Sequence, residues 1–410
     1  MRRSALLPIF LVVLVDILGM TLILPLLPFY AESFGASVLE VGLLVSSFAA
    51  CQLVSGPILG ALSDRYGRKP LLLLSQLGTL AGFALLASAK TLAVVFLGRI
   101  LDGATAGNLS LAQAYISDHT APEARTRSFA LLGVAFGLGF LVGPGLSGWL
   151  ATRDYRAPII LAMALSTLSI VTTATLLPAE PAPRTSAPQA AVTEGAAPQA
   201  GRRLGVLSWG QYLDYFRRPA LRGLLLRFFL FAFSFAVFTS GFALFAERRY
   251  THQGRPWGPR EVGYVLALSG LLGALLQGGA LGRLAKRFGE ARLVTAGFLS
   301  LGAGYALLAP RGGLALLAAA AALAAFGSGA LRPSLTALVT QRAGRGEQGA
   351  VLGLTQALTS LAQLSAPLVG GVLLSCRSLA GWAMLAAAAS WLGLLVRSDV
   401  GKDVASNASN

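Results

Sequence analysis

Long apolar runs without charge constrain this chain more than any other feature. The run 41–62 contains no charged residue, and neither does the run 71–89, which follows a short charged loop. Each run is close to the roughly 20 apolar residues that a helix needs to cross a bilayer. Hydrophobic residues make up 55% of the chain and charged residues only 12%, and runs of this length do not suit a soluble core. The chain is therefore predicted to be a polytopic membrane protein.

Twelve apolar runs of sufficient length can be placed along the chain. They lie at about 6–29, 40–63, 71–89, 92–116, 128–151, 157–177, 222–246, 261–283, 292–309, 313–340, 350–374 and 379–397. Because the number of spans is even, both termini are expected on the same side of the membrane. The predicted fold is an all-α polytopic membrane protein with twelve transmembrane helices.

The net charge of +16 could indicate a nucleic-acid partner, but the basic residues are distributed as in a membrane protein. Of the 33 Lys and Arg, 21 lie at the termini and in the even-numbered connections, nine in the odd-numbered connections and three within spans. An excess of positive charge on one side marks that side as cytoplasmic. We therefore expect both termini in the cytoplasm and no nucleic-acid partner.

The chain contains an internal repeat. A shift of about 222 residues aligns the loop 60–67 with 282–289, and Pro144 with Pro367. Transporters commonly consist of two such halves, with the substrate site between them near the membrane midplane. Two pseudo-symmetric six-helix bundles are therefore expected. The predicted parts are an N-terminal bundle at 1–177, a linker at 178–220 with a short interfacial helix at 204–216, a C-terminal bundle at 221–398 and a tail at 399–410.

The loop after the second span carries a specific motif. It reads GALSDRYGRKP from Gly60 to Pro70, and it resembles the G-x-x-x-D-R-x-G-R-K/R signature of the major facilitator superfamily at every fixed position. The basic residues alone could be a topology signal. Such a signal does not explain the two glycines and the aspartate at their spacings. The motif therefore favours this superfamily, whose members are membrane transporters.

The resemblance implies a conformational gate at the cytoplasmic face. Asp64 would cap the start of span eleven, and Arg68 would pair with Asp118 at the end of span four. An anion stabilises a helix N-terminus, and an arginine–carboxylate pair can be bidentate, so both contacts would hold this face closed. The implied gate comprises Gly60, Asp64, Arg65, Gly67, Arg68 and Asp118.

Charged residues inside two spans point to proton coupling. The stretch from Asp16 to Pro28 resembles the D-x-x-G-x-x-x-x-x-P-x-x-P pattern of drug:proton antiporters with twelve spans, and Arg99 begins the family's R-x-x-x-G motif. Asp16 and Asp102 are expected about 15 Å into their spans, and Arg99 shares a helix face with Asp102. Arg99 could neutralise Asp102 and leave Asp16 to exchange a proton. The alternatives are a structural hydrogen bond for Asp16 and an inert Arg99–Asp102 pair.

Span five contains closely spaced small residues and a proline, and it resembles the antiporter motif of the same superfamily. Small residues allow helices to approach closely, and a proline bends a helix locally. The resemblance favours export over import, whereas good packing without any effect on direction is the alternative. The residues are Gly133, Gly137, Gly143, Pro144 and Gly148.

A phenylalanine stripe in span seven and several polar side chains are candidates for a substrate cavity. Phenylalanines between positions 228 and 245 recur at steps of three and four, which places them on one helical face. This face would suit lipophilic cations or neutral drugs if it lined the cavity, but packing against lipid or between bundles would produce the same stripe. The predicted cavity residues are Asn108, Gln113, Phe231, Phe235, Phe238, Gln277, Arg332 and Gln356.

Over nearly the whole chain the resemblance is closest to tetracycline efflux proteins. Where those exporters carry an acid in span three, a histidine in span eight and an acid in span nine, this chain has Gly82, Gly273 and Leu301. A drug bound as a metal chelate would lack these partners. We therefore predict proton-coupled efflux of another drug-like or amphiphilic molecule. The alternatives are efflux of a lipid, sugar or metabolite, and a non-transporting membrane sensor.

The sequence contains no signature of an enzyme or of a nucleotide-driven pump. It has no nucleophile–base cluster, no metal-ligand cluster and no G-x-x-x-x-G-K-[ST] loop. We expect a secondary transporter without cofactor or metal that uses the proton gradient. Its expected partners are a small-molecule substrate, protons and membrane lipids, and it is expected to act as a monomer in the cell (inner) membrane.

Overall fold

Helices make up nearly all of the computed structural model, which describes residues 6–119, 125–178, 214–343 and 347–396. The helices of the first half are α1 (Leu6–Ile23), α2 (Leu27–Glu32), α3 (Val38–Tyr66), α4 (Arg68–Ser88), α5 (Leu92–Ala104), α6 (Asn108–His119), α7 (Arg125–Ala151) and α8 (Arg156–Leu176). Those of the second half are α9 (Pro219–Arg249), α10 (Pro259–Leu275), α11 (Leu281–Phe288), α12 (Glu290–Ala306), α13 (Leu314–Arg342), α14 (Gln348–Ser375) and α15 (Leu379–Leu395). A short hairpin of β1 (Thr251–His252) and β2 (Arg255–Pro256) lies between α9 and α10.

Each predicted span coincides with one helix or with two helices in succession. In the described chain, nine helical segments are long and apolar enough to cross a membrane, and two shorter ones, Pro8–Ile23 and Leu379–Leu395, are also apolar. The all-α polytopic fold is therefore confirmed, and the helix order is consistent with twelve spans. The bundle boundaries stay predictions. Most of the interfacial helix predicted at 204–216 lies outside the described residues.

Three of the predicted spans are interrupted rather than continuous. The first breaks between α1 and α2, where Pro25 lies in the intervening turn and Pro28 lies in the first turn of α2. A proline is tolerated in a first turn but not in a helix interior. The fourth span breaks between Ala104 and Asn108, and the eighth contains a π-helical turn at Leu276–Ala280. Such turns are frequent at functional sites.

The two copies of the repeated loop make the same backbone turn. Gly67 joins α3 to α4 with φ 94° and ψ 154°, and Gly289 joins α11 to α12 with φ 79° and ψ 155°. Glycine adopts a positive φ without the steric cost that a Cβ would add. The turn is therefore shared, although Lys286 replaces Asp64 in the second copy. We call the membrane face that carries these two turns the motif face and the other one the opposite face.

The halves touch each other closely at the opposite face. Two helix pairs join them, α3 with α14 and α7 with α10. A Cβ added to Gly42 would lie 2.8 Å from the Pro367 carbonyl oxygen, and one added to Gly148 would lie 2.5 Å from the Pro259 carbonyl oxygen. Such distances leave no space for a side chain. Glycine therefore allows the backbones of the two halves to meet on this side.

Of these two pairs, α3 and α14 separate toward the motif face. Along α3, the side chain of Gln52 still reaches α14, where Ser360 Oγ lies 3.3 Å from its Oε1. One and two turns further on, the Cβ positions of Gly56 and Gly60 have no atom of the described residues within 4 Å. In this structure the opposite side is closed, and the halves spread apart toward the motif face.

Candidate functional site

Asp16 lies at the centre of a polar network inside the N-terminal half. Its carboxylate accepts a hydrogen bond of 2.8 Å from Ser169 Oγ on α8. Gln76 on α4 also lies beside this carboxylate, and its Nε2 donates to Ser169 Oγ at 2.8 Å and to Thr173 Oγ1 at 2.9 Å. Three helices, α1, α4 and α8, therefore position one half-buried carboxylate.

Arg99 and Asp102 form an ion pair inside the membrane. Arg99 Nη1 lies 2.9 Å from Asp102 Oδ2, and only 12% and 9% of the two side chains is exposed. Thr79 on α4 also hydrogen-bonds Asp102, and the Arg99 guanidinium lies 4.2 Å from the centre of the Phe48 ring. This carboxylate is therefore neutralised by a fixed cation, as the spacing of three residues predicts.

Gly82 allows Asp102 to occupy its position. A Cβ on Gly82 would lie 2.9 Å from the Asp102 Cβ and 2.9 Å from the Gly98 carbonyl oxygen, so α4 and α5 are in backbone contact here. Asp102 is close enough to Asp16 for the two carboxyls to interact electrostatically. The chain thus places a second carboxyl, supplied by span four, beside Gly82 of span three.

The break in span four places another candidate beside this pair. Ser75 Oγ donates to the Thr105 carbonyl oxygen and accepts from Gly107 N at 2.9 Å, so a hydroxyl on α4 satisfies the interrupted backbone. Asn108 begins α6, and its buried Oδ1 has no hydrogen-bond partner among the described residues. The predicted cavity residue Gln113, one and a half turns further on, is half-buried.

Asp64 of the predicted gate contacts its own loop and not the start of span eleven in this structure. Arg68 Nη2 lies 2.5 Å from the Asp64 carboxylate, and Arg68 Nη1 donates to Ser63 Oγ at 2.5 Å. Asp64 is 56% exposed, and no side chain of the described residues caps α14, whose N-cap is Glu347. A cap on span eleven needs the motif face to close, and here it is spread apart.

The remaining gate residues lie around the same turn. Gly67 forms the positive-φ turn described above, and the Arg65 guanidinium lies 5.4 Å from the centre of the Tyr66 ring. The Asp118 side chain lies outside the described part of the structure, and with it the predicted Arg68–Asp118 pair. The roles of Gly60, Asp64 and Asp118 in closing this face stay predictions.

The small residues of span five lie against the C-terminal half and against α1. The Cβ position of Gly137 lies 3.5 Å from the Ala274 Cβ on α10, and that of Gly133 lies 3.9 Å from Gln277 Oε1. At Gly143 a Cβ would overlap Thr21 of α1. Together with Gly148, these residues place α7 between its own bundle and the other half.

Pro144 takes part in this interface through its backbone. Its carbonyl oxygen occupies the space that a Cβ on Gly263 of α10 would need. Close backbone contact at this position is what the packing interpretation predicts, and it leaves the effect on transport direction a prediction.

The phenylalanine stripe packs mainly inside the C-terminal bundle. The Phe238 ring is 8% exposed and lies 4.9 Å from the Tyr305 ring and 6.4 Å from the Trp382 ring. Phe231 is also buried, and its ring lies 6.0 Å from that of Phe235. The structure thus places Phe238 in the bundle core instead of the cavity wall, because its face of α9 packs on α12 and α15.

Phe235 is the member of the stripe that contacts the other half. It is half-buried, and its ring lies 6.5 Å from that of Phe140 on α7. Gln356 on α14 is half-buried as well. The ring contact places Phe235 between the halves, and the cavity role of both residues stays a prediction.

Arg332 reaches from the C-terminal half onto the N-terminal half. Its guanidinium lies 4.7 Å from the centre of the Phe136 ring on α7. Gln277, in the π-helical turn, is exposed and lies next to Gly329 of α13 and Gly133 of α7. Arg332 and Gln277 therefore share one region between the halves.

Sequence reasoning missed the partners of these groups. Gln76, Ser169 and Thr79 bind the two carboxyls, and Phe136 receives the Arg332 guanidinium. Gln76 gave a usable signal, since it is a polar residue inside an apolar span. Serine, threonine and phenylalanine are common in such spans and give none.

A separate charged cluster joins the halves at the opposite face. Arg248 Nη2 of α9 lies 3.6 Å from Glu32 Oε1 of α2, and the Glu32 carboxyl hydrogen-bonds that of Glu247. Burial and then the adjacent Glu247 raise the pKa of Glu32 to about 7, against the effect of Arg248. Tyr155 lies close enough to interact with both carboxyls, which raise the pKa of its hydroxyl together with burial.

Comparison with known proteins identifies the family of this chain. The family model "Major Facilitator Superfamily" matches residues 9–367 and 248–408. The Escherichia coli "Tetracycline resistance protein, class E" is 31% identical over 369 residues, which is 89% of this chain and 86% of that protein. The "Major facilitator superfamily domain-containing protein 10" of Homo sapiens is 30% identical over 90% of this chain and 87% of its own.

Solved structures agree with this assignment. The crystal structure of the human organic anion transporter MFSD10 superposes with a TM-score of 0.74 at 26% identity, over 96% of this chain and 99% of that one. The nucleoside transporter NupG superposes with a TM-score of 0.73 at 13% identity, over 95% of this chain and 96% of that one, and so shares the fold. The chain is thus a transporter and not an enzyme, and it belongs to the Major Facilitator Superfamily.

Proposed function

We propose that this protein exports a drug-like, amphiphilic small molecule across the cell membrane in exchange for protons. The motif face would be cytoplasmic, with both termini on that side, and the protein would act as a monomer. Similarity to tetracycline resistance proteins along most of the chain supports an efflux direction.

The observation that carries the proposal is the contrast between two carboxyls in one half. Asp102 is paired with Arg99, whereas Asp16 is bonded only by neutral groups among the described residues. A carboxylate in the membrane interior is costly without a cation, so it is functional by default. Asp16 is the group able to take up a proton and release it without breaking an ion pair.

Protonation of Asp16 would be coupled to movement through its neighbours. The Ser169 hydroxyl donates to the carboxylate, and Gln76 connects it to Thr173. A proton on Asp16 removes one acceptor site and adds a donor, so α1, α4 and α8 must exchange hydrogen-bond partners. A change in the packing of these helices is the kind of event that alternating access requires.

The substrate of this exporter is expected to differ from a tetracycline–metal chelate. The positions that would hold the chelate carry Gly82, Gly273 and Leu301, and Leu301 is fully buried in the C-terminal bundle. The space that a side chain at Gly82 would need is occupied by Asp102. No side chain at these three positions can therefore bind a metal chelate.

The test is the pH change inside proteoliposomes when a panel of lipophilic cations, amphiphilic anions, tetracyclines and lipids is added. The wild-type chain is compared with Asp16→Asn and with Asp214→Asn, an exposed carboxyl near the motif face. We expect proton movement with at least one amphiphile, loss of it in Asp16→Asn and no change in Asp214→Asn. Exchange of labelled substrate without net proton movement should survive in Asp16→Asn. Proton-driven transport that persists in Asp16→Asn would refute the role of Asp16.

A further inference from the structure

The C-terminal half contains a membrane-embedded cation that the proton-coupling site does not use. Arg332 is half-buried on α13, ten residues before the helix ends at Arg342, or about 15 Å of helix. No hydrogen bond, ion pair or nearby carboxylate acts on its guanidinium among the described residues. Its described partner is the ring of Phe136.

An aromatic ring stabilises such a cation only in part. A cation over a ring face gains electrostatic attraction. A charge removed from water loses more than this unless it is paired with an opposite charge and hydrogen-bonded. Arg99 in the other half is a paired cation, because its guanidinium contacts both the Phe48 ring and the Asp102 carboxylate. Arg332 has the ring and lacks the carboxylate.

The surroundings of Arg332 provide a second polar group. Gly329 precedes Arg332 by three residues, and Gly133 precedes Phe136 by three, so each glycine lies on the same helix face as its partner. Gln277 lies between these two glycines, with its Nε2 3.8 Å from the Cβ position of Gly329 and its Oε1 3.9 Å from that of Gly133. An exposed amide therefore lies about one turn from the guanidinium.

We propose that Arg332 binds the anionic group of the transported molecule, with Gln277 as a second hydrogen-bonding group and Phe136 as an apolar support. The substrate class is then an amphiphilic organic anion, such as an aromatic carboxylate or sulfonate. A guanidinium binds a carboxylate through two parallel hydrogen bonds, which the Phe136 ring does not provide. The inference rests on the proposed transport function and specifies its substrate.

Binding of an anion at this point would also affect both halves. The guanidinium belongs to α13 and the ring to α7, so the contact crosses the interface between the bundles. An anion that binds Arg332 either displaces the Phe136 ring from the guanidinium or binds the guanidinium beside the ring. Substrate binding would thus alter a contact between the halves directly.

The experiment measures binding to the purified full chain in a neutral detergent by equilibrium dialysis. The probes are 1-naphthoate and its uncharged analogue 1-naphthamide. The variants are Arg332→Gln, Arg332→Lys and the matched control Arg227→Gln, because Arg227 is a membrane-embedded arginine whose guanidinium donates to the Val396 carbonyl oxygen. Size-exclusion profiles confirm that each variant is folded.

We expect Arg332→Gln to weaken naphthoate binding roughly tenfold or more, as loss of a charged hydrogen bond does, and to leave naphthamide binding unchanged. Arg332→Lys should retain part of the preference for the anion, and Arg227→Gln all of it. Absence of a preference for naphthoate in the wild type, or equal loss of both probes in Arg332→Gln, would overturn the proposal.

Two further measurements are needed. The first distinguishes a lipid anion from a soluble one, and the second distinguishes this proposal from the proposed proton coupling. Phosphatidylglycerol added to the detergent displaces naphthoate if a lipid headgroup is the natural ligand and fails to do so if a soluble anion is; either result retains Arg332 as the anion site. Binding in detergent needs no proton gradient. If naphthoate binding depends on Arg332 but no proton movement is seen in proteoliposomes, the proposed proton coupling is refuted and the proposed anion site is retained.

Discussion

The N-terminal half provides polar partners for its membrane-embedded charges, whereas the Arg332 guanidinium of the C-terminal half has no hydrogen-bonding or charged partner among the described residues. Asp102 has Arg99, and Asp16 has hydroxyl and amide partners. Arg332 has an aromatic ring from the other half. A satisfied network can hold and move a proton with small structural change, while an unsatisfied cation favours a ligand that carries the missing charge. The comparison therefore supports our proposals that ion coupling belongs to the first half and substrate recognition to the second.

The strongest way to break this comparison is to remove each arginine in turn. Arg99→Ala leaves Asp102 buried without its cation, which should lower the free energy of unfolding by about 3–5 kcal/mol. Arg332→Ala leaves no carboxylate behind and also removes an unpaired charge, so the loss of a ring contact of about 1 kcal/mol is offset and the net change should be small. Thermal unfolding in detergent measures both.

The double variant Arg99→Met, Asp102→Leu is the control for the first half. Removing both charges should restore much of the stability that Arg99→Ala loses, because no buried charge is then unpaired. If Arg332→Ala were as damaging as Arg99→Ala, Arg332 would have a structural partner and the comparison would fail.

A second test compares one glycine in each half. Gly82→Ala should destabilise the protein by about 1–3 kcal/mol, because its Cβ would enter the contact with Asp102 and Gly98. Gly273→Ala meets no described atom within 4 Å and should be neutral or stabilising by up to about 1 kcal/mol through helix propensity. Equal effects on the unfolding temperature would mean that the two helices are packed alike.

The smallest expected effect concerns the cluster that joins the halves at the opposite face. Burial and then the adjacent Glu247 raise the pKa of Glu32 from 4.5 to about 7, so the closed arrangement binds a proton more tightly than a separated one. Its stabilising contribution is complete at pH values below about 4.5 and is lost as the pH rises through about 7. Arg248 and Tyr155 face the same cluster, and Arg248 opposes the rise in pKa.

Spin labels on exposed positions Ser33 and Thr251, in a Cys51→Ser, Cys376→Ser background, can follow this closure. The distance distribution should shift toward shorter values between pH 8 and pH 5. Glu32→Gln should give the short distances at every pH, because the amide mimics the protonated carboxyl. A wild-type distribution independent of pH would contradict the prediction.

Hydropathy predicted the helices well because a bilayer imposes a strict length on apolar segments. The motif and the repeat predicted loops at 60–67 and 282–289, and the structure adds that Gly67 and Gly289 turn there with a positive φ. Position along a span placed Asp16 and Asp102 near a common depth, and the two carboxyls do interact. These inferences use only one helix at a time.

Contacts between helices were predicted less well. The stripe on α9 was clear as a helical face, but periodicity does not state which helix covers it, and Phe238 proved to pack on Tyr305 and Trp382. The breaks within spans one, four and eight also escaped prediction, because an interrupted backbone is stable only where a neighbour such as Ser75 satisfies it.

By itself the sequence determined the class of molecule, the order of its spans, the repeat and the residues that carry charge within the membrane. It did so because a charge in lipid has a high free-energy cost and because each span must match the thickness of the bilayer. Both constraints are visible in the sequence of every span. Only the tertiary structure decided which partners these charges find on other helices. Asp102 finds Arg99 on its own helix, but Ser169 reaches Asp16 from 153 residues away, and Arg332 meets Phe136 across the two halves. Such partners are set by the packing of distant helices, which no local pattern records.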